Sequence, residues 1–300
     1  MENNSGTLTG KRIGILGKGG SGKSTFVVLL AKALHSLNYP VCVLDADSTN
    51  EGLHQAFGFD SPPKDLMEYF GGMVFRGGRV TCPVDDPYPL HDAEIDLTQP
   101  KLQDFVSNSN GIHFLIAGKI GKEGPGSGCD GPISKIARDL IVHNGEIEPV
   151  MLIDFKAGFE DTARGAVTSL DWGIVIVDPT TASLRLSHDM KQMVRDIQAD
   201  VLPATAHLET SDLVAVANKA FIEATIRDVF FVINKIPDSE TESYLREKLL
   251  ELGITPLGCI HEYPTISMAW LKGKSIRPGL ADGEVQIVLD NFLEKINGNL

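Results

Sequence analysis

Short apolar, β-branched runs recur along the chain, separated by longer stretches whose apolar residues repeat at helical spacing. Ile13–Leu16, Val41–Leu44, Ile112–Ala117, Pro149–Asp154, Gly173–Asp178, Val229–Asn234 and Pro256–Ile260 read as strands, apolar at consecutive rather than alternate positions. Such runs suit strands covered on both faces. Phe26, Val27, Leu29, Leu30, Ala33 and Leu34 follow a helical period, as do apolar positions in Ile133–Val142, Ser183–Ile197, Glu240–Leu252 and Gly283–Ile296. Strands alternating with helices need crossover connections, which favour a parallel sheet. The pattern therefore predicts an α/β fold, a doubly wound, mainly parallel sheet flanked by helices. Two segments break the rhythm. Residues 58–110, rich in Gly, Pro and Asp, read as an insertion on the sheet rim, and residues 200–226 as an extra helical insertion. With no internal repeat or low-complexity linker, residues 1–300 are expected to form one domain.

Composition narrows the function classes. At 42% hydrophobic residues the chain can cover both faces of such a sheet. No apolar stretch approaches the ~20 residues that span a bilayer, and the polar start Met1–Lys11 lacks the apolar core of a secretory signal. A net charge of −13 argues against nucleic acid as a partner, for which a basic face is expected. The terminal Val285–Ile296 stretch carries Asp290 and Glu294, a poor anchor for an anionic membrane. Cys42, Cys82, Cys129 and Cys259 are too scattered for a disulfide framework and suit a reducing compartment. Cys42 and Cys259 fall in predicted strands and read as core residues, and His188 and His207 as surface or capping residues. The expectation is a cytoplasmic protein without a membrane anchor.

The chemistry concentrates at the first strand–helix junction. Gly17, Gly22, Lys23 and Ser24 satisfy the G-x-x-x-x-G-K-[ST] phosphate-binding pattern, between a predicted strand and a predicted helix. A glycine-rich loop there, Gly17 to Thr25 with Gly19, Gly20 and Ser21 inside it, turns backbone N–H groups and the positive helix end toward one phosphate chain. Lys23 would reach the β- and γ-phosphates of a nucleotide, and the Ser24 hydroxyl would ligate Mg²⁺. Met151-Leu152-Ile153-Asp154 is an apolar strand ending in a carboxylate, an arrangement that holds Mg²⁺ through water. Asp45-Ala46-Asp47-Ser48-Thr49-Asn50 follows the second strand, where carboxylates overlie the ligand crevice of a parallel sheet or cap the next helix. Asn50 is open between nucleotide contact and capping. Asn234, at the end of Val232-Ile233-Asn234-Lys235, could read an adenine edge through its amide or simply start a turn.

Lys18 gives the loop a K-G-G-x-G-K-S form. With it the chain resembles the deviant Walker A ATPases, the family of MinD, ParA, Mrp and the nitrogenase iron protein. The resemblance implies a P-loop NTPase that binds ATP with Mg²⁺, hydrolyses ATP and forms a homodimer on it. Lys18 would cross the interface to the partner's nucleotide, adding charge stabilisation in the manner of an arginine finger. It assigns Asp47 to the attacking water and Asp45 to the neighbourhood of the Mg²⁺ shell. Gly158 of Asp154-Phe155-Lys156-Ala157-Gly158 would be the switch glycine that senses the γ-phosphate.

Further stretches resemble the CooC branch of nickel-handling maturation ATPases. They are Gly128-Cys129-Asp130-Gly131-Pro132, Asp154 to Gly165, Val177-Asp178-Pro179 through Ser183-Leu184-Arg185-Leu186, Asn234-Lys235 and Pro256-Leu257-Gly258-Cys259-Ile260. This resemblance implies a client metalloenzyme and a metal at the dimer interface, Ni²⁺, Zn²⁺ or an iron–sulfur cluster. The chain departs from the branch at two points. Its Cys-x-Cys pair is reduced to Cys129 with Gly131 in the second place, and Lys156 replaces a glutamate in the switch. Two Cys129 thiolates fall short of the four ligands that zinc or a cubane cluster takes, so Asp130, His143 or Cys82 would have to complete the site. Two alternatives stay open: a positioning or partitioning ATPase without metal, and a cluster-carrying reductase component relying on Cys82 with Cys129.

Overall fold

The computed structural model describes residues 7–120, 129–277, 279 and 281–298. Residues 1–6 of the polar start and Gly128 of the Gly128–Pro132 stretch lie outside the described residues. The sequence folds as the apolar runs require. The first half contains strands β1 (Arg12–Gly17), β2 (Val41–Ala46), β3 (Glu94–Asp96), β4 (Ser107–Ser109) and β5 (Ile112–Ile116), with helices α1 (Lys23–Ser36), α2 (Leu53–Phe57) and α3 (Leu66–Tyr69). Then follow α4 (Gly131–Asp139), β6 (Ile141–His143), β7 (Val150–Phe155), α5 (Glu160–Ala163), β8 (Trp172–Val177), α6 (Thr181–Gln198) and α7 (Ser211–Ile222). The chain continues through β9 (Asp228–Ile236), α8 (Ser239–Glu251), β10 (Gly258–His261), α9 (Pro264–Leu271) and α10 (Ala281–Gly298). No described helix is long and apolar enough to cross a membrane.

Eight strands form one sheet in the order β10-β9-β8-β1-β7-β2-β5-β4. All neighbours are parallel except β4 and β5. Strands β2, β7 and β8 are buried at every position, so the unbroken apolar runs have a direct cause in helices on both faces. One face packs Phe26, Leu30 and Leu34 of α1 with Leu289 and Phe292 of α10. The other packs Ile133 and Ile136 of α4, Met190 and Val194 of α6 and Leu245 of α8. The fold is therefore the doubly wound, mostly parallel α/β sheet expected of a P-loop nucleotide-binding protein.

Two details differ from the pattern. The helix expected over Ile133–Val142 stops at Asp139, because Leu140 adopts an extended backbone (ψ 123°) and Ile141–His143 pair with β3 instead. A short β-branched run fits either period, and here the strand partner decides. Within residues 58–110, β4 extends the sheet edge while β3 forms a separate ribbon with β6. Residues 200–226 supply α7.

Because β7 lies between β1 and β2, the carboxyl ends of three strands meet in one crevice, with Asp154 in register with Ile15 on one side and Asp45 on the other. Ligands of open parallel sheets bind over such strand ends, where the sheet order reverses.

Candidate functional site

The loop Gly17–Thr25 leaves β1 and enters α1 at this crevice. Its turn is closed by the Ser21 N–H donating to the Lys18 carbonyl at 3.2 Å. The end of β9 then clamps it from outside: Asn234 donates from Nδ2 to the Ser21 carbonyl at 2.7 Å, and Lys235 from Nζ to the Gly20 carbonyl at 2.8 Å. Gly22 cannot be replaced without cost, since its φ is +96° and an added Cβ would stand 2.3 Å from Asn234 Nδ2. The amide nitrogen of Asn234 thus serves the loop, while the residue also lines the cavity beside it.

That cavity has a volume of about 590 Å³. Gly19, Gly20, Gly22, Lys23, Ser24, Thr25, Asp47 and Asn50 line it, and Tyr263, Ile266 and Trp270 add apolar and aromatic surface from the β10–α9 segment. Trp270 is fixed there by donating from Nε1 to Thr25 Oγ1 at 2.8 Å.

Asp154 is wholly buried at the end of β7, and neither carboxylate oxygen has a hydrogen-bond partner among the described residues. Burial pushes its carboxyl up to about 6, against the pull of the nearby Lys23 ammonium and the Ser24 hydroxyl. Lys23 is itself buried, which lowers its ammonium from the ordinary value while Asp154, Asp47 and Asp161 oppose the shift. Ser24 Oγ accepts from Asn50 Nδ2 at 2.9 Å. Asp47 is held by its Oδ1, which accepts from the Thr49 N–H at 2.9 Å and the Thr49 hydroxyl at 2.8 Å. Lys23, Ser24, Asp47, Asn50 and Asp154 are therefore brought together as a buried acidic pocket facing the loop.

Asp45 is engaged differently. Its Oδ2 pairs with Lys119 Nζ at 2.8 Å and its Oδ1 accepts from the Asp47 N–H at 3.1 Å. Burial raises its carboxyl to about 7, with Lys119 pulling down and Asp154 and Asp47 pushing up. Lys119 also donates to the Asp47 carbonyl at 2.5 Å and to the Asn50 carbonyl, so it shapes the whole Asp45–Asn50 loop. Sequence reading missed this lysine. Its signal was a single cation directly after β5, at the same sheet edge as the other strand-end groups.

Lys18 pairs with Asp178 at the end of β8, Nζ to Oδ2 at 3.0 Å. Asp178 also accepts from the Thr180 hydroxyl at 2.8 Å and from the Ser183 hydroxyl, and these bonds outweigh burial and hold its carboxyl below the usual range. Gly158 donates its N–H to the Gly17 carbonyl at 3.0 Å, stitching the loop after β7 to the phosphate-binding loop.

Lys156 forms an ion pair with Asp130, whose other oxygen accepts from Ser48 Oγ at 2.5 Å. One cluster thus joins the loops after β2 and β7 to the Cys129–Gly131 turn. Cys129 is exposed. Gly131 has no room for a side chain: an added Cβ would lie 2.5 Å from Cys82 Sγ. The Cys82 thiol fills the space where a second cysteine of a Cys-x-Cys pair would point. Of the other groups considered for this site, Asp130 is committed to Lys156 and Ser48, and His143 pairs with Glu94 at 3.0 Å. Cys42 is buried as expected, whereas Cys259 is half-buried. His188 and His207 are exposed on the surface.

A family model described as the CobQ/CobB/MinD/ParA nucleotide binding domain matches residues 15–276. An uncharacterised ATP-binding protein of Methanocaldococcus jannaschii is 29% identical over 240 residues, covering 79% of this chain and 83% of that protein. The carbon monoxide dehydrogenase accessory protein CooC of Rhodospirillum rubrum is 29% identical over 192 residues, 62% of this chain and 70% of its own. Among solved structures, the septum site-determining protein MinD of Pyrococcus horikoshii, complexed with Mg-ADP, superposes with a TM-score of 0.59 at 19% identity. The match covers 96% of this chain and 97% of that one. A ParA family ATPase of Chlorobium tepidum gives a TM-score of 0.59 at 14% identity, over 94% and 97% of the two chains.

Proposed function

The chain belongs to the CobQ/CobB/MinD/ParA nucleotide-binding family, and we propose that it is a Mg²⁺-dependent ATPase that dimerises on ATP and serves a metalloenzyme as an accessory factor. The observation that carries the nucleotide reading is the buried, unpartnered Asp154 carboxylate facing Lys23 and Ser24 at the mouth of the glycine loop. An anion left without partners in the interior is costly, and the donor set of carboxylate and hydroxyl oxygens fits Mg²⁺. Ser24 and Asp154 would hold the ion, Asp154 through water, with Asp45 supporting its neighbour across the strand pair. Bound there, Mg²⁺ neutralises the charge of the β- and γ-phosphates.

The chain's own groups do the rest. The loop amides and Lys23 fix the phosphate chain, and the face of Tyr263, Ile266 and Trp270 suits an apolar base. Asp47, its Oδ1 locked by Thr49, orients a water for in-line attack on the γ-phosphorus. Gly158 exchanges its bond to Gly17 for one to the γ-phosphate, so the loop after β7 reports the nucleotide state. Lys18 leaves Asp178 and reaches the partner subunit's nucleotide. The Asp178 carboxylate left behind keeps the Thr180 and Ser183 hydroxyls as donors, which offsets part of the cost of losing Lys18.

The accessory role rests on the similarity to CooC and on Cys82 standing beside Cys129. In this reading the metal is cargo, held between two subunits by Cys129 and Cys82 from each. No nucleic acid partner or membrane anchor enters it. The test is metal content of the ATP-loaded protein after anaerobic exposure to Ni²⁺, Zn²⁺, or iron with sulfide. About one metal or cluster per dimer, lost in Cys129→Ala and Cys82→Ala, is the expected result. An ATP dimer without metal would overturn the cargo role and favour a positioning ATPase.

A further inference from the structure

Far from the cysteines of the proposed cargo site, the edge strand β10 and helix α8 carry a separate set of metal-type donors. Glu242 of α8 and Cys259 and His261 of β10 each offer a ligand atom, and the three atoms lie within 4.8 Å of one another. Cys259 and His261 alternate with the buried Gly258 and Ile260, so both side chains emerge on one side of the strand. Such proximity brings a carboxylate oxygen, a sulfur and an imidazole nitrogen within reach of a single ion.

The histidine is held in the orientation that metal-binding histidines adopt. Its Nδ1 meets Glu284 Oε1 of α10 at 2.6 Å, and its backbone N–H donates to the other Glu284 oxygen at 3.0 Å. A carboxylate on one ring nitrogen orients the ring and presents the other nitrogen to a metal. That nitrogen, Nε2, faces Glu242 Oε2 at 3.9 Å. Glu242 is itself steadied through its other oxygen, which accepts from Arg246 Nε at 2.7 Å. The charges also balance: Glu242, Glu284 and a Cys259 thiolate against Arg246 and a divalent ion. Three protein donors leave a fourth coordination position for water.

We propose that Glu242, Cys259 and His261 form a Zn²⁺ site, with Glu284 as the residue that positions His261. Mixed sulfur, nitrogen and oxygen donors with one open position suit zinc. The site is independent of the cargo reading, because it uses neither Cys82 nor Cys129.

Cobalt is the probe. The 300-residue chain carrying Cys82→Ser and Cys129→Ser, freed of metal and nucleotide, is titrated with Co²⁺ under anaerobic conditions and followed by thiolate-to-cobalt charge-transfer absorption. The expected result is saturation at one Co²⁺ per chain, with the band displaced by Zn²⁺. Adding Cys259→Ser removes the band, while Glu284→Gln, which keeps all three ligands, weakens binding about 10- to 100-fold. Circular dichroism of each variant confirms that it is folded. No charge-transfer band in the double-serine protein, or a band that survives Cys259→Ser, would overturn the proposal.

Discussion

Replacing Asp154 by Asn is expected to stabilise the nucleotide-free protein while removing its response to Mg²⁺. The fold moves this carboxyl from its ordinary 3.8 to about 6, a cost of about 3 kcal/mol once the group is ionised. In strong acid the proton is bound in both folded and unfolded chains and the cost vanishes. As pH rises from about 4 to about 6 the unfolded chain releases the proton first, so stability falls through that window and stays lower above it. Asn keeps the shape without the charge. It should raise stability by up to about 3 kcal/mol near pH 8 and by only about 1 kcal/mol near pH 4.5. At roughly 2–4 °C per kcal/mol for a chain of this size class, the melting temperature rises several degrees at the higher pH. Differential scanning calorimetry at both pH values, with and without Mg-ADP, reads the two effects together. Wild type should gain melting temperature on Mg-ADP and the variant should gain far less. An Asn variant no more stable than wild type near pH 8 would show that the buried carboxylate carries no such cost, and one that responds equally to Mg-ADP would remove Asp154 from the Mg²⁺ site.

Lys119→Met strips the buried Asp45 of its cation. Breaking a buried pair typically costs about 3–5 kcal/mol, and the loss should be larger near pH 8 than near pH 5, where Asp45, already raised to about 7, takes up a proton. Urea unfolding at the two pH values checks this. Gly131→Ala drives a methyl into Cys82 Sγ at 2.5 Å and should cost about 1–3 kcal/mol. Adding Cys82→Gly should recover most of it, which a double-mutant cycle measures.

The sheet was legible because its central strands are continuous apolar runs, and the glycine loop because a strand and a helix flank it in register. Asp45, Asp47 and Asp154 were visible as carboxylates at strand ends. What the sequence hid depends on neighbours distant along the chain. Lys119 lies far from Asp45 in sequence and meets it only because β5 pairs with β2. The place of Cys82 against Gly131 follows from how residues 58–110 fold back on α4, which no local period encodes. Asp178 stands out in the sequence only within a stretch that carries a resemblance, and its hold on Lys18 depends on the β1–β8 pairing. The helix over Ile133–Val142 ends early for the same reason, since Ile141–His143 find their partner in β3.

In the proposed function ATP joins two chains through Lys18. Light scattering coupled to size exclusion, on the Asp47→Asn variant with Mg-ATP and with Mg-ADP, tests it most directly when Lys18→Ala is run alongside. The expected result is a dimer with ATP, a monomer with ADP, and a monomer in both when Lys18 is removed, although nucleotide still binds. A dimer that forms without Lys18, or a chain that stays monomeric with bound ATP, would contradict it.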